Sequence, residues 1–369
     1  FFPYRELGIV KNASRDLVLN LLPAEVGRLR LMAFATSRQE CRAELRTRDG
    51  RIIYSEELTL SPEEVYDRTV DSCGAGPDDV VFSVNGLCCH TENNLSNPVP
   101  DPADPALKPS EIDSCEQLYL TGLHLEQYRH ATWNAVDYYE EALRRDPCDI
   151  RNNNALGLWY LRRARFELAE KYLRKAVEVL TRRNRNPYDG EPVYNLALCL
   201  QYQHRWDEAY DLFYKATWNA AWQDAGYLAC SRISVREGRW DDALDEIEHS
   251  LNRNWHNSAA RALKTAILRH LGRTREALEF AQDSLALDRF NFGCLFEQSL
   301  CGGTPDGFTD IMRDEAHNYN ELALDYIAAG LTEEAAAVWS LARERNAYDC
   351  MSEYYCSHWC GASWHSPKE

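Results

Sequence analysis

Positive charge is scarce in this chain. Its 41 lysines and arginines face 58 aspartates and glutamates, a formal net charge of −17 over 369 residues. Binding to phosphate backbones needs a basic field, so nucleic acid and anionic membrane surfaces are excluded as partners. No run of 18 apolar residues occurs, which excludes a membrane-spanning helix. The common catalytic signatures are missing as well: there is no G-x-x-x-x-G-K-[ST] phosphate loop, no G-x-S-x-G elbow and no H-E-x-x-H helix. Asp314-Glu315-Ala316-His317 spells a helicase-like box, but without a phosphate loop it is a coincidence of letters. No catalytic residue and no cofactor is therefore expected. The chain opens FFPYREL, with no initiator Met and no secretory h-region. That opening reads as an excised piece of a longer, cytoplasmic protein.

Cysteine is plentiful, at 13, but odd in number and scattered, with Cys199 and Cys230 inside apolar helical text. Buried reduced thiols are expected, because a chain of this size needs no staples. Cys350, Cys356, His358 and Cys360 lack the paired C-x2-C spacing of structural zinc sites, so no metal is expected.

Residues 1–89 read as short strands. ECRAELRTRDGRIIYSEELTL places two β-prone runs around Asp49-Gly50, a pair suited to a tight hairpin turn. The runs at 17–22, 28–34 and 80–86 add further strands, and together they predict a small immunoglobulin-like β-sandwich. Residues 90–113, with five prolines in TENNLSNPVPDPADPALKPSEID, predict an extended linker.

Beyond the linker the text becomes helical and periodic. Ala135, Ala169, Ala209, Ala243 and Ala277 are spaced 34, 40, 34 and 34 apart, and seven residues after them stand Ala142, Ala176, Ala216, Ser250 and Ser284. Gly157 and Ala197 lie twelve before Ala169 and Ala209. Small side chains in this register let antiparallel helices close up. The pattern predicts a mainly α, tetratricopeptide-repeat superhelix, whose hairpins must stack because none buries its apolar face alone. Five repeats are expected over 114–291, an insertion over 292–315 where the step to Ala335 lengthens to 58, and a further repeat with a partial terminal helix over 316–369. The five letters ATWNA occur at Ala131–Ala135 and again at Ala216–Ala220. Their separation of 85 is no multiple of 34, so they are not the repeat unit.

Three stretches carry a more specific likeness: YRELGIVKNAS from Tyr4, YLTGLHLEQYRHAT from Tyr119, and NPYDGEPVYNLALCLQY from Asn186 together with FYKATWNAAWQDAGY from Phe213. In these the chain resembles large bacterial proteins of unknown function in which a galactose-mutarotase-like domain precedes a tetratricopeptide array. The resemblance implies a carbohydrate-handling context and an upstream sugar-binding domain.

Partner-binding candidates follow from placing Gly122, Gly157 and Ala197 at the small position of each first helix. That register sets Arg151, Asn154, Tyr194 and Asn195 near an inner wall, where paired donors and flat rings suit peptides or sugars. The six-residue excess before Ala209 adds Arg182, Arg183, Tyr188, Asp189 and Glu191 at a rim. His124, Glu126, Gln127 and Arg129 form a polar cluster ahead of the first full repeat. Trp218, Asn219 and Trp222 are candidates too, although an i, i+4 aromatic stripe more often packs between repeats. Three functional readings remain open at this stage. The first is a non-catalytic scaffold binding a protein, or its own upstream sugar-binding domain, in a carbohydrate context. The second is part of a carbohydrate-active enzyme whose repeat face, with Glu126 and Arg129, helps line a glycan pocket. The third is a general peptide-binding adaptor.

Overall fold

The computed structural model describes residues 2–91, 104–128, 132–303 and 306–360. The chain divides into two compact units, Phe1–Ala103 and Asp104–Glu369. Half of the expected linker, 92–103, lies outside the described residues, as do Arg129 and His130.

In the first unit a one-turn helix, α1 (Tyr4–Leu7), precedes β1 (Asn12–Ala13), β2 (Leu17–Pro23), β3 (Arg28–Ala35), β4 (Gln39–Thr47), β5 (Ile52–Leu60), β6 (Tyr66–Asp71), β7 (Val80–Val84) and β8 (Leu87–Cys89). They form two antiparallel sheets of order β1-β2-β3-β6 and β5-β4-β7-β8. Alternation along β2 and β3 brings Leu19 opposite Ala33 and Leu21 opposite Leu31, and these pack against Ala43, Leu45, Phe82 and Val84 of the other sheet. The result is a small β-sandwich. Both faces of β2 are buried, because Leu7 of α1 joins Val18, Met32 and Phe34 on its outer side. There Asn20 Nδ2 donates to the Leu7 carbonyl at 2.6 Å. β6, of sequence YDRTVD, gives little apolar signal and is fixed by its pairing with β3.

The second unit is all helix: α2 (Cys115–Tyr128), α3 (Ala135–Arg145), α4 (Ile150–Leu161), α5 (Phe166–Thr181), α6 (Glu191–Tyr202), α7 (Trp206–Ala216), α8 (Gln223–Arg236) and α9 (Trp240–Arg253). It continues with α10 (Ser258–His270), α11 (Thr274–Leu287), α12 (Phe292–Leu300), α13 (Asp306–Met312), α14 (Ala316–Ala328), α15 (Thr332–Glu344) and α16 (Cys350–Cys360). Consecutive pairs form hairpins, which is the tetratricopeptide architecture. Ala169, Ala209, Ala243, Ala277 and Ala335 each occupy the fourth position of their second helix and are fully buried. A Cβ at Gly157 would stand 2.6 Å from Leu173 Cγ, showing how closely α4 and α5 approach. Later hairpins use Ser231, Thr265 and Ala323 at the corresponding place, all at 0% exposure. Ser231 Oγ also donates to the Ala243 carbonyl, so the slot tolerates a hydroxyl that finds a partner across the hairpin. First helices touch their successors, α2 with α4, α4 with α6, and α8 with α10, whereas second helices make no comparable contact. The first helices therefore line the inner side.

Three features lay beyond the sequence reading. Five hairpin turns hold one residue each in the left-handed region, at Ala164, His204, Gly238, Gly272 and Gly330. An arginine follows at the N-terminus of the next helix in four hairpins, and Arg205 braces α5 to α7 through Glu170 at 2.8 Å and Glu208. The segment expected as an insertion over 292–315 is itself a short hairpin, α12 with α13. α12 begins one full period after α10, but α13 spans only 7 residues, and α14 starts early.

Candidate functional site

On the inner wall of the first three hairpins, Arg151 of α4 lies over the Tyr119 ring of α2 at 5.4 Å and pairs with Glu116 at 3.0 Å. One helix further on, Asn154 Nδ2 donates to Glu191 Oε1 at 2.9 Å, and Asn195 Nδ2 donates to Asn154 Oδ1 at 3.0 Å. Asn154 and Asn195 are fifth in α4 and α6, so the repeat itself sets them side by side. Both are nearly buried, and the chain of amides ending on a carboxylate is what satisfies them there. Burial raises the Tyr119 hydroxyl above its ordinary pKa, with Glu191 adding to the rise, Arg151 opposing it and Asp189 adding again. Tyr194 is raised in the same way by burial, with Arg232 opposing and Asp224 adding. Tyrosine, arginine, amide and carboxylate thus meet on one face, with both donors and acceptors at hand.

The other candidate positions divide by role. Glu126 accepts from Tyr139 Oη at 3.2 Å and from Arg162 at 2.8 Å, so it ties α2 to α3 and α4. His124 packs its ring against Tyr128 at 4.6 Å, while Gln127 faces solvent. Arg182 and Arg183 are exposed at the end of α5. Asp189 caps α6 by accepting from the Glu191 amide at 2.9 Å. Tyr188 is 92% exposed, and its carbonyl accepts from Asn219 Nδ2.

The tryptophans four apart have different fates. Trp222 packs on Tyr194 at a tilt of 31° with centroids 4.7 Å apart, and Tyr194 in turn meets Phe213 edge-on at 5.1 Å. Trp218 is half-exposed, with Lys215 Nζ 3.4 Å above its ring. The two ATWNA copies do share one local task. Asn134 accepts from the Val136 amide and Asn219 from the Ala221 amide, each capping the turn that follows. Sequence phase separated the two copies correctly, yet this common capping role was readable from Asn standing just before a helical run.

A second concentration of polar groups, missed by sequence reasoning, lies between α10, α12, α14 and α15. Arg269 donates to Glu297 at 2.7 Å and to Glu334 at 2.8 Å, His270 Nε2 is 2.7 Å from Glu334, and Tyr326 Oη donates to Glu297 at 2.7 Å. Trp240 stacks on His270 at 4.3 Å. Its members lie 28 to 65 residues apart, so no spacing rule could have joined them. Among the described residues no group of three or more potential metal ligands occurs, and no helix is long and apolar enough to cross a membrane. The cysteines are all free thiols.

Comparison with known proteins adds two kinds of likeness. Residues 12–87 match the family model described as YphG-like protein, second domain, which spans the β-sandwich. Among solved structures, the chain is similar to pilF of Pseudomonas aeruginosa, at 15% identity over 66% of this chain and 97% of that one, with a TM-score of 0.43. It is similar to a tetratricopeptide repeat protein from Parabacteroides merdae, at 12% identity over 66% and 97%, with a TM-score of 0.48. A third is YrrB, described as a tetratricopeptide protein with an unusual peptide-binding site, at 15% identity over 60% and 99%, with a TM-score of 0.36.

Proposed function

We propose that the chain is a non-catalytic tetratricopeptide scaffold that holds a partner protein on the inner wall of its helix array. The observation that carries this reading is the contiguous patch of Tyr119, Arg151, Asn154, Asn195 and Tyr194. It combines rings, amides and charges on the inner side, with Arg151 as its exposed member and the part-buried Tyr119 and Tyr194 and the buried asparagines packed behind it. Aromatic faces bring area at low entropic cost, and arginine and amide groups bring directional donors, which is the composition of an interface centre. The partner proposed is a galactose-mutarotase-like, sugar-binding domain of the kind found upstream in the proteins this chain resembles, so the context is carbohydrate handling. Glu126, held by Tyr139 and Arg162, serves the fold in this reading and not a glycan pocket.

The test is capture of such a purified domain by the immobilised chain. Arg151→Ala is expected to weaken capture by about tenfold, the loss of one interface arginine, with the helical circular dichroism unchanged. Capture as strong as that of the unaltered chain would sink the proposal.

A further inference from the structure

The early start of α14 changes the end of the inner wall. α14 lies against α8: Arg232 donates to Asp325 at 3.0 Å, Arg236 donates to the Ile327 carbonyl at 2.8 Å, and Gly330 rests on the Arg236 side chain. A recess of about 350 Å³ lies between α8, α10, the entrance of α12, and α14. Its walls are apolar, built from Ala262, Leu263, Phe290, Phe292, Leu322 and Tyr326. Its rim is acidic, with Glu321 and Asp325 on successive turns of α14. His317 stands 3.9 Å from Glu321, and Arg232 is already taken by Asp325.

We propose that this recess receives the side chain of an arginine or lysine from an extended partner segment. The stem would lie along Leu263, Phe292 and Leu322, with the cationic head between Glu321 and Asp325. The inference deepens the reading of the inner wall as the partner-binding face, and rests on it.

Three observations favour a cation with an apolar stem. The volume, at the small end of ligand pockets, admits a long side chain together with backbone beside it. Apolar walls under a charged rim match the way such residues bury their methylenes and keep the head near polar groups. The rim is also short of positive charge. Water reaches 56% of the Asp325 side chain, yet protein crowds it, and that burial raises its carboxyl above the usual range, with Arg232 lowering it and Glu321 raising it further. An anionic side chain would meet two carboxylates and would have to displace Asp325 from Arg232. A neutral one would desolvate the rim without pairing it.

The recess can be read directly in the full chain from the methyl resonances of Leu263 and Leu322, titrated with N-acetylarginine N-methylamide and with its norleucine and glutamate counterparts. The arginine probe is expected to shift both residues saturably, with a Kd on the order of millimolar for so small a ligand. The norleucine probe should bind at least about fivefold more weakly, a difference near 1 kcal/mol, and the glutamate probe should leave the resonances in place. Glu321→Gln should weaken the arginine probe while leaving the Arg232–Asp325 pair intact. Ala259→Trp, which puts a large ring at a lining position and keeps both carboxylates, should abolish the shifts. Equal binding of norleucine, no saturable shift, or shifts that survive Ala259→Trp would each overturn the proposal. Arg151→Ala leaves the recess untouched, so undiminished domain capture by that variant with normal arginine binding counts against the wider scaffold reading alone. The converse result counts against the recess alone.

Discussion

At the scale of single residues, the hairpin turns show where sequence and geometry pull apart. Gly238, Gly272 and Gly330 occupy the left-handed region without steric cost, whereas Ala164 and His204 hold φ of 54° and 59° at the equivalent turns. An L side chain in that region costs about 1–2 kcal/mol, and glycine returns part of the gain through its freer unfolded chain. Ala164→Gly is therefore expected to stabilise the helical unit by about 0.5–1 kcal/mol, measured as a raised urea midpoint at constant slope. His204→Gly should act in the same direction. An unchanged or lowered midpoint would show that the turn is relieved in some other way. The capping asparagines make the complementary point: Asn134 and Asn219 each stand just before a helical run, and each accepts from a backbone amide of the turn that follows.

At the scale of elements, the charged network beneath α14 and α15 anchors the last hairpin. Burial pushes the Glu334 carboxyl upward, but hydrogen bonds from His270 and Arg269 outweigh that and hold it down to about 2. A carboxylate depressed in the folded state stabilises fully above its ordinary value of 4.5, and that contribution drains away as the pH falls towards 2. The amount at stake is up to about 3 kcal/mol, from a shift of this size at 1.36 kcal/mol per unit. Glu334→Gln should consequently lower stability at neutral pH and flatten the fall in stability between pH 4.5 and 2, as followed by thermal melts. A variant whose melts fall as steeply as those of the parent over that range would refute this account. The same network explains the position of α14: a hairpin displaced by the short α13 finds its charges satisfied by α10 and α12.

At the scale of the whole molecule, each unit has hydrophobic clusters of its own. Leu19, Leu31, Leu45 and Phe82 belong to the sandwich, while Ala169, Phe213, Ile247 and Trp339 belong to the helical array. A chain starting at Asp104 is therefore expected to keep its helical circular dichroism and to unfold cooperatively, because its core and the turn at Pro109–Glu111, gripped by Arg145, are retained. Loss of helicity in that shorter chain would show that the array depends on the sandwich.

The regular part of the architecture was legible because its causes are local or strictly periodic. Alternation, Asp49-Gly50 and the tiny residues recurring every 34 positions each act through neighbours within one hairpin or between adjacent ones. Arg151, Asn154, Tyr194 and Asn195 could be placed on one wall for the same reason, since a repeat carries register forward. The bridges from Arg232 to Asp325, 93 residues apart, and from Arg269 to Glu334 could not be read that way. They depend on how rotation accumulates across a repeat whose second helix is cut short, and a small error in any one step moves the last hairpin by a helix width. Sequence alone determined that helices would pair and stack, because close packing of small side chains allows nothing else. Only the tertiary structure decided that the stack turns back on α8 and closes a recess there, because that outcome is a sum over all the hairpins and a property of none.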